Sequence, residues 1–422
     1  MGNSGKRNKD EWTSKVVNKC QICDSEKMES IIFLGYLPPV NQMHKIGDRP
    51  HEQPSYPAEI LYCPKCHLVQ LGLIVNPKIL FPPEYPYRSS TTKILGENFA
   101  ELAKECATII DFKREDLIID IGSNDGNLLS NFLGKLRVLG ITPEEAGKKA
   151  IERGIPTIID YFNGEVVEKV LSENKPAKII MATNVFAHID KVNDVVELIL
   201  KLLKEDGVFI SESHYLLSLI KTLQYDTIYH EHLRYYSLHS LKFLFENHGL
   251  EIIHAKEIPT HGGSIRVYAA RKGKYTVRDT VNRMLQSEKD YATNKGNLIK
   301  FRNAVVNAKL GLLNLLYGLK KEGKRIYGIG APSRAGTLIN YTGIDEGVID
   351  YVMEVKGSNK IGKYMPGTLI PVVEESRLYK DQPEFVILLS WHIAEELAPK
   401  ISKKGYKGKF IVPLPEPHIL EL

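Results

Sequence analysis

The segment DLIIDIGSNDGNLLSNFL, residues 116–133, constrains this chain more than any other. Leu117, Ile118, Ile119 and Ile121 form an apolar run of strand length. Gly122 and Gly126 punctuate a turn, and Leu128, Leu129, Phe132 and Leu133 recur at helical spacing. A strand that passes through a glycine turn into a helix is the ligand-facing corner of a doubly wound α/β sheet, where glycines let a ligand approach the backbone. Taken alone it is shared by many nucleotide binders. Segments further along the chain narrow it. RVLGI (137–141) predicts a second strand and KIIMATNVFAHI (178–189) a later one ending in Asn184. LLKEDGVFISES (202–213) reads as helix, turn at Asp206-Gly207, and strand. RIYGIGAPSRAGTLINY (325–341) then repeats the strand–glycine–helix design, and FVILLSWHIAEEL (385–397) adds another buried strand and helix. The fold class expected is α/β, with two such units in series. They are joined by residues 280–320, whose Leu, Val, Lys and Asn at helical spacing predict two helices.

The length of 422 residues suits two or three domains, and 43% apolar content suits a buried core. The net charge of +5 is spread without a basic block, which argues against nucleic acid and fits an anionic small substrate. Residues 1–17 are polar and read as a disordered tail. They lack the apolar core of a signal peptide, and Lys6 stands where a myristoylation motif wants Ser or Thr. No window offers 18 apolar residues, so no membrane span is expected, and a cytoplasmic enzyme is the default reading.

Four of the five cysteines form two pairs, Cys20-Gln-Ile-Cys23 and Cys63-Pro-Lys-Cys66. A C-x2-C turn aims two thiolates at one point, and two such turns complete a tetrahedral four-sulfur zinc site with no open position. The zinc is therefore expected to be structural, holding a module too small to be stable on its own core. Cys106 stands alone in a helical stretch and reads as an apolar filler.

YHEHLRYYS, residues 229–237, concentrates two histidines, a glutamate and three tyrosines. His230, Glu231 and His232 suit either a metal clamp or a proton-transfer site, and Tyr229, Tyr235 and Tyr236 can line a ring-shaped substrate. With zinc accounted for by the cysteines, the metal reading weakens.

The D-x-G-x-x-x-G loop and the later L-K-x-D-G-V segment resemble the S-adenosylmethionine signatures of class I methyltransferases. That resemblance places Asp120, Gly122, Asn124, Gly126, Asp160 and Asn184 at the cofactor, with Asp160 toward the adenine. One position departs from it. Thr142 stands where the superfamily has an acidic residue for the ribose hydroxyls, with Glu144 or Glu145 near enough in sequence to compensate.

The two cysteine pairs, EYPYRSS, DIGSNDG, ATNVFAHI, IYHEHLRYYS, HGGSIR, GIGAPSRAGT and PEPHI, in that order, resemble the nucleotide-sugar C-methyltransferases of deoxysugar biosynthesis over nearly the whole chain. The resemblance implies a zinc module at 18–80, an S-adenosylmethionine domain at 81–280 and a Rossmann-like nucleotide-sugar domain at 281–422. It implies removal of the acidic proton beside a ketone, usually at C-3, and attack of the enolate on the donor methyl. The substrate would be a dTDP-linked keto-deoxysugar, with GDP or CDP as alternative carriers. His232 would be the base, Glu231 its orienter or a sugar ligand, and Tyr229 the donor to the enolate oxygen. His188 would be a second proton carrier, and Tyr85 or Tyr87 would close over the sugar. His230 is expected behind the site or exposed. His261 and Gly262 are assigned to the sugar or its phosphates, although a plain hairpin turn fits those residues as well. Ser333 and Arg334 are assigned to the diphosphate at a helix N-terminus. The protein is expected to be a monomer or weak dimer. Two alternatives remain at this level: an O- or N-methyltransferase acting on a sugar nucleotide, and a catalytically inactive methyltransferase-like binding module, which Thr142 would favour.

Overall fold

A computed structural model describes residues 14–49, 52–81, 93–143 and 145–421. Tyr85, Tyr87 and Glu144 lie outside the described residues.

The N-terminal strands are β1 (Lys15–Val16), β2 (Glu29–Leu37), β3 (Tyr56–Tyr62), β4 (Val69–Leu71) and β5 (Leu73–Ile74). β2, β3 and β4 pair antiparallel, and β1 pairs with β5. Each cysteine pair sits in a tight knuckle. Asp24 N–H donates to Cys20 O and His67 N–H to Cys63 O, and both Asp24 and His67 adopt positive φ (54° and 59°) to close the turn. The two knuckles thus have the same geometry and face one another.

The central strands are β6 (Leu117–Ile121), β7 (Arg137–Ile141), β8 (Thr157–Ile158), β9 (Ala177–Thr183) and β10 (Leu203–His214). β11 (Arg234–Tyr235), β12 (Leu250–Ile258) and β13 (Ser264–Arg271) come next. Seven of them form one sheet in the order β12-β13-β10-β9-β6-β7-β8. β6 to β10 run parallel, and β13 is inserted antiparallel. The chain leaves β6 toward β7 and β8, then returns to β9 on the other side. That reversal opens a crevice beyond the carboxyl ends of β6 and β9, where ligands of such sheets bind. Two expectations are corrected. The helix after the first glycine loop is only a 3-10 turn, Leu129–Asn131, because Gly134 (φ 78°) ends it at once. The Asp206-Gly207 turn is an irregularity inside the long β10, where register shifts between Leu203 and Val208.

β11 leaves the central sheet and pairs with β4 of the zinc module, Arg234 opposite Gln70 and Tyr235 opposite Val69. Helices Asp279–Ala292 and Lys295–Lys321 come after β13, as the periodicity predicts. The C-terminal unit is a second doubly wound sheet. Its strands are β14 (Ile326–Ile329), β15 (Val352–Glu354), β16 (Val372–Glu374), β17 (Phe385–Leu388), β18 (Lys409–Val412) and β19 (His418–Leu420), ordered β16-β15-β14-β17-β18-β19. Its first helix, Ser333–Thr342, docks on the segment just before Tyr229: Thr337 Oγ1 donates to Ile228 O, and Tyr341 meets Tyr225 edge to face. One apolar core joins the N-terminal sheet, the Lys295–Lys321 helix and this C-terminal unit, including Ile32, Leu34, Leu216, Leu312 and Leu338. Cys106 is fully buried, as expected. No helix among the described residues is long and apolar enough to cross a membrane.

Candidate active site

The stretch 229–237 bridges two units. Leu233 N–H donates to Ala187 O, and Leu233 O accepts from Leu71, so the loop is pinned between the end of β9 and the zinc module. This pinning sets its side chains. His232 turns inward and its Nδ1 donates to Thr227 O (2.8 Å), which leaves the Nε2 lone pair for chemistry. Tyr229 lies against it with ring centroids 4.2 Å apart. His188, beyond β9, is 5.0 Å from His232. His214, the last residue of β10, is 4.6 Å from His232 and 5.5 Å from His261. Four imidazoles from four segments therefore meet at the carboxyl edge of the parallel strands. Phe81 closes one side, edge-on to His188.

Burial holds all four rings neutral. It pushes His188 and His261 down to about 4, and the Arg334 cation adds to the effect at His261. It drives His232 and His214 well below the ordinary histidine range, with the neighbouring imidazoles reinforcing it. Neutral rings at pH 7 are proton acceptors.

Glu231 accepts from Asn41 Nδ2 (2.7 Å), and Asn41 Oδ1 accepts from Ser333 Oγ (3.1 Å). One chain of hydrogen bonds thus joins the N-terminal module, the loop and the C-terminal unit. The Arg334 fork is spent on Asp226, through Nε (2.8 Å) and Nη2 (2.7 Å), and its plane lies over Trp391, whose Nε1 also donates to Asp226 (2.7 Å). Ser333 and Arg334 therefore knit the units together. The His261-Gly262-Gly263 turn has positive φ throughout (57°, 87°, 122°). Gly262 needs its missing side chain, since a Cβ there would meet Gln224 Oε1 at 2.4 Å.

Not every expected residue lies in the cluster. Of the two places expected for His230, behind the site or exposed, the structure shows it buried behind the site, where it donates from Nε2 to Pro57 O (3.2 Å) and meets Tyr56. Tyr235 stands at the edge of the cluster, edge-on to His232 with ring centroids 6.3 Å apart, whereas Tyr236 packs on Phe186. Both are fully buried, and Tyr236 accepts from Arg234 Nε while stacking on Phe186. Histidines 214 and 392, Asn41 and Asp226 were not anticipated. For His214 a signal exists in the sequence: it ends a strand of a parallel sheet, on the edge where such sheets bind ligands.

The crevice itself is built from the first glycine loop. Gly122 and Gly126 have φ of 74° and 78°, and Gly122 and Ser123 N–H both donate to Ile141 O. The space that a Cβ on Gly122 would enter is already held by Val185 Cγ2, at 2.3 Å, so this glycine serves the packing of the β9 loop. Around it lie buried polar atoms without partners: Asp120 Oδ1, Ser123 Oγ and Asn184 Oδ1. Orphaned acceptors there fit a ligand that carries an ammonium and hydroxyls, as S-adenosylmethionine does. Thr142 closes β7 and is buried, Asp160 is exposed beyond β8, and Glu145 pairs with Lys148.

The four cysteine sulfurs lie within 4.8 Å of one another, in reduced form. Four thiolates about 2.3 Å from one centre have edges of about 3.8 Å, so the group fits tetrahedral zinc.

Profiles of three families match the chain in series: a zinc binding domain over residues 20–81, a methyltransferase domain over 91–255, and the C-methyltransferase C-terminal domain over 259–415. Over 411 residues the chain is 30% identical to the C-methyltransferase NovU of Streptomyces niveus, covering 96% of this chain and 97% of that one. The chain belongs to the C-methyltransferase family. Solved structures similar to it include an S-adenosylmethionine-dependent methyltransferase from Clostridium acetobutylicum (14% identity, 44% of this chain and 94% of that one, TM-score 0.32). Another is the N-methyltransferase NodS of Bradyrhizobium japonicum (10% identity, 43% and 99%, TM-score 0.32). This C-methyltransferase is S-adenosylmethionine-dependent and carries a zinc-binding module.

Proposed function

We propose that this C-methyltransferase methylates the carbon beside the ketone, C-3 by the family resemblance, of a keto-deoxysugar carried on dTDP, GDP or CDP. The observation that carries the reading is the neutral imidazole of His232, with Nδ1 committed to Thr227 and Tyr229 against its face. A carbon acid needs a base that is unprotonated at working pH and a donor for the enolate oxygen, whereas a heteroatom acceptor needs no enolate stabiliser.

S-adenosylmethionine supplies an electrophilic methyl. The rest falls to the chain. His232 Nε2 takes the proton from the sugar carbon. Tyr229 donates its hydroxyl to the developing enolate oxygen. Glu231, steadied by Asn41, holds a sugar hydroxyl, and His188 faces the same space to share the proton. Asp120, Asn124, Asn184 and the Gly122–Gly126 loop hold the donor, with Thr142 and Asp160 toward the ribose and adenine. His261 and Gly262 border the sugar. Ser333 and Arg334 act indirectly, by fixing Asn41 and Asp226. By the family resemblance, Tyr85 or Tyr87, outside the described residues, would close over the sugar.

The test is product analysis with labelled S-adenosylmethionine and dTDP-, GDP- and CDP-linked keto-deoxysugars. The expected product carries the methyl on the carbon next to the carbonyl, located by mass fragmentation. A methyl on oxygen or nitrogen, or no transfer to any of these sugars, overturns the reading.

A further inference from the structure

Each turnover of the proposed chemistry leaves a proton on His232, inside a cluster where its neighbours are other imidazoles. Beside the rings of His188, His214 and His261, the charged groups felt by this cluster are cations, the Arg334 guanidinium at His232, His214 and His261 and the Arg234 guanidinium at His188. Glu231 accepts from Asn41, and Asp226 accepts from Arg334 and Trp391. Among the described residues no carboxylate offsets charge on His232, His214 or His261, so an imidazolium held there is costly to keep. It has to discharge before the next substrate can be deprotonated.

A line of titratable rings leads from His232 toward the partly exposed β12–β13 turn. His214 lies 4.6 Å from His232, centroid to centroid, and His261 lies 5.5 Å beyond His214. His261 stands on the turn between β12 and β13, partly exposed, in a left-handed conformation that aims it inward. Its Nε2 is a buried ring nitrogen with no hydrogen-bond partner. Neither the His214 ring nor this nitrogen has a visible structural task. His392 adds a further neutral ring near His261 and Arg334.

We propose that His214 and His261 are a proton-exit relay for His232. The sugar C–H bond breaks and its proton goes to His232 Nε2; its electron pair goes to the enolate and then into the new C–C bond, while the donor's methyl–sulfur bond breaks and that pair stays on the neutral thioether sulfur. That proton passes to His214, from His214 to His261, and from His261 to water or buffer. His232 keeps its Nδ1 proton on Thr227 throughout. The inference rests on the carbon-acid reading above, and it makes His214 a residue that acts through His232 without touching the sugar.

The experiment separates first from later turnovers in the intact zinc-loaded protein, using a dTDP-linked keto-deoxysugar. With enzyme in excess, one turnover needs only a base that starts neutral. His214→Gln should therefore methylate in the single-turnover burst within about twofold of wild type, while steady-state turnover drops by tenfold or more. The same variant, in heavy water with S-adenosylhomocysteine, should wash deuterium into the substrate carbon correspondingly slowly, because His232 must reload from solvent. Added imidazole should restore both slow rates in His214→Ala, which a damaged fold would not allow. His261→Gln, which also alters the border of the sugar site, should likewise slow steady-state turnover and the deuterium wash-in. Equal loss in burst and steady state in His214→Gln, or full steady-state and wash-in rates in both histidine variants, overturns the relay. His232→Asn tells the two ideas apart: if it keeps its burst, the base itself has been misassigned, whatever the relay variants do.

Discussion

His230 and His232 are two positions apart, yet one ring nitrogen separates their fates. His230 gives Nε2 to Pro57 and faces the N-terminal sheet, while His232 gives Nδ1 to Thr227 and keeps Nε2 for the cluster. His232→Asn keeps size and polarity but takes no proton near pH 7. It should lose turnover by about 10²–10⁴-fold and still bind both ligands by calorimetry. His230→Asn should keep near-normal turnover, and a comparable loss in both variants would contradict the assignment. A second residue-scale prediction concerns Thr142, buried at the end of β7. If it meets the donor's ribose, Thr142→Asp adds a charged acceptor and should tighten S-adenosylmethionine by about tenfold, the effect of roughly 1.4 kcal/mol. Unchanged or weaker affinity would place the ribose elsewhere. Gly122→Val is a poor probe of the same site, since the new side chain would strike Val185 before any ligand.

At the scale of elements, the zinc knuckles do more than close a small module. Gln21, between Cys20 and Cys23, accepts from Arg234. The Nη1 and Nη2 donors of Arg234 also hold the carbonyls of Phe186, Ile189 and Asp190, the loop that carries His188. Asn193, opening the next helix, also donates to Ile22 O. Stripping zinc with a chelator, or Cys63→Ser, should therefore raise amide hydrogen exchange in residues 184–190 and 229–236 as well as in β2–β4, and leave β14–β18 as before. Exchange confined to residues 14–75 would mean that the knuckles support only their own module. Two structural misreadings also belong to this scale. The apolar run 128–133 has helical spacing but only one 3-10 turn, since a left-handed glycine comes next at 134. The Asp206-Gly207 pair reads as a turn, but long pairing with β9 and β13 carries the strand across it.

For the whole molecule, the Asp226–Arg334–Trp391 clamp and the shared core decide how the three units sit. Asp226→Ala would leave a buried guanidinium without its partner and should cost about 3–5 kcal/mol in urea unfolding. Asp226→Asn, which still accepts, should cost less, and a null effect of the alanine variant would show the clamp to be dispensable. The buried histidines set the pH response. Unfolded histidine titrates near 6.5, whereas His188, His230 and His261 are pushed down to about 4 and His392 to about 3 by burial. Below 6.5 the unfolded chain binds more protons than the native one, so stability falls with pH across the interval from 6.5 to 4 and is insensitive to these groups above 7. Urea midpoints measured from pH 8 to 4 should show a plateau, then a decline starting near 6.5; a flat profile down to pH 4 would contradict their burial.

Short-range pattern was enough to read two strand–glycine corners, the second of which opens a helix, four cysteines in two knuckles, and a loop rich in proton-carrying side chains. Each of these signals spans fewer than about twenty residues, so periodicity and turn chemistry suffice to recognise it. Which of those side chains meet was settled only by the packing of distant segments. His188, His214, His232 and His261 come together because β9, β10, the 229–233 loop and the β12–β13 turn end on one edge of one sheet. Arg334 turns from a free phosphate fork into a clamp because Asp226, 108 positions away, lies under it. Tyr236 is drawn away from the cluster because Arg234 and Phe186 hold its hydroxyl and ring. Contacts between residues so distant in the chain leave no local pattern, because burial and pairing choose them only once the sheets have formed.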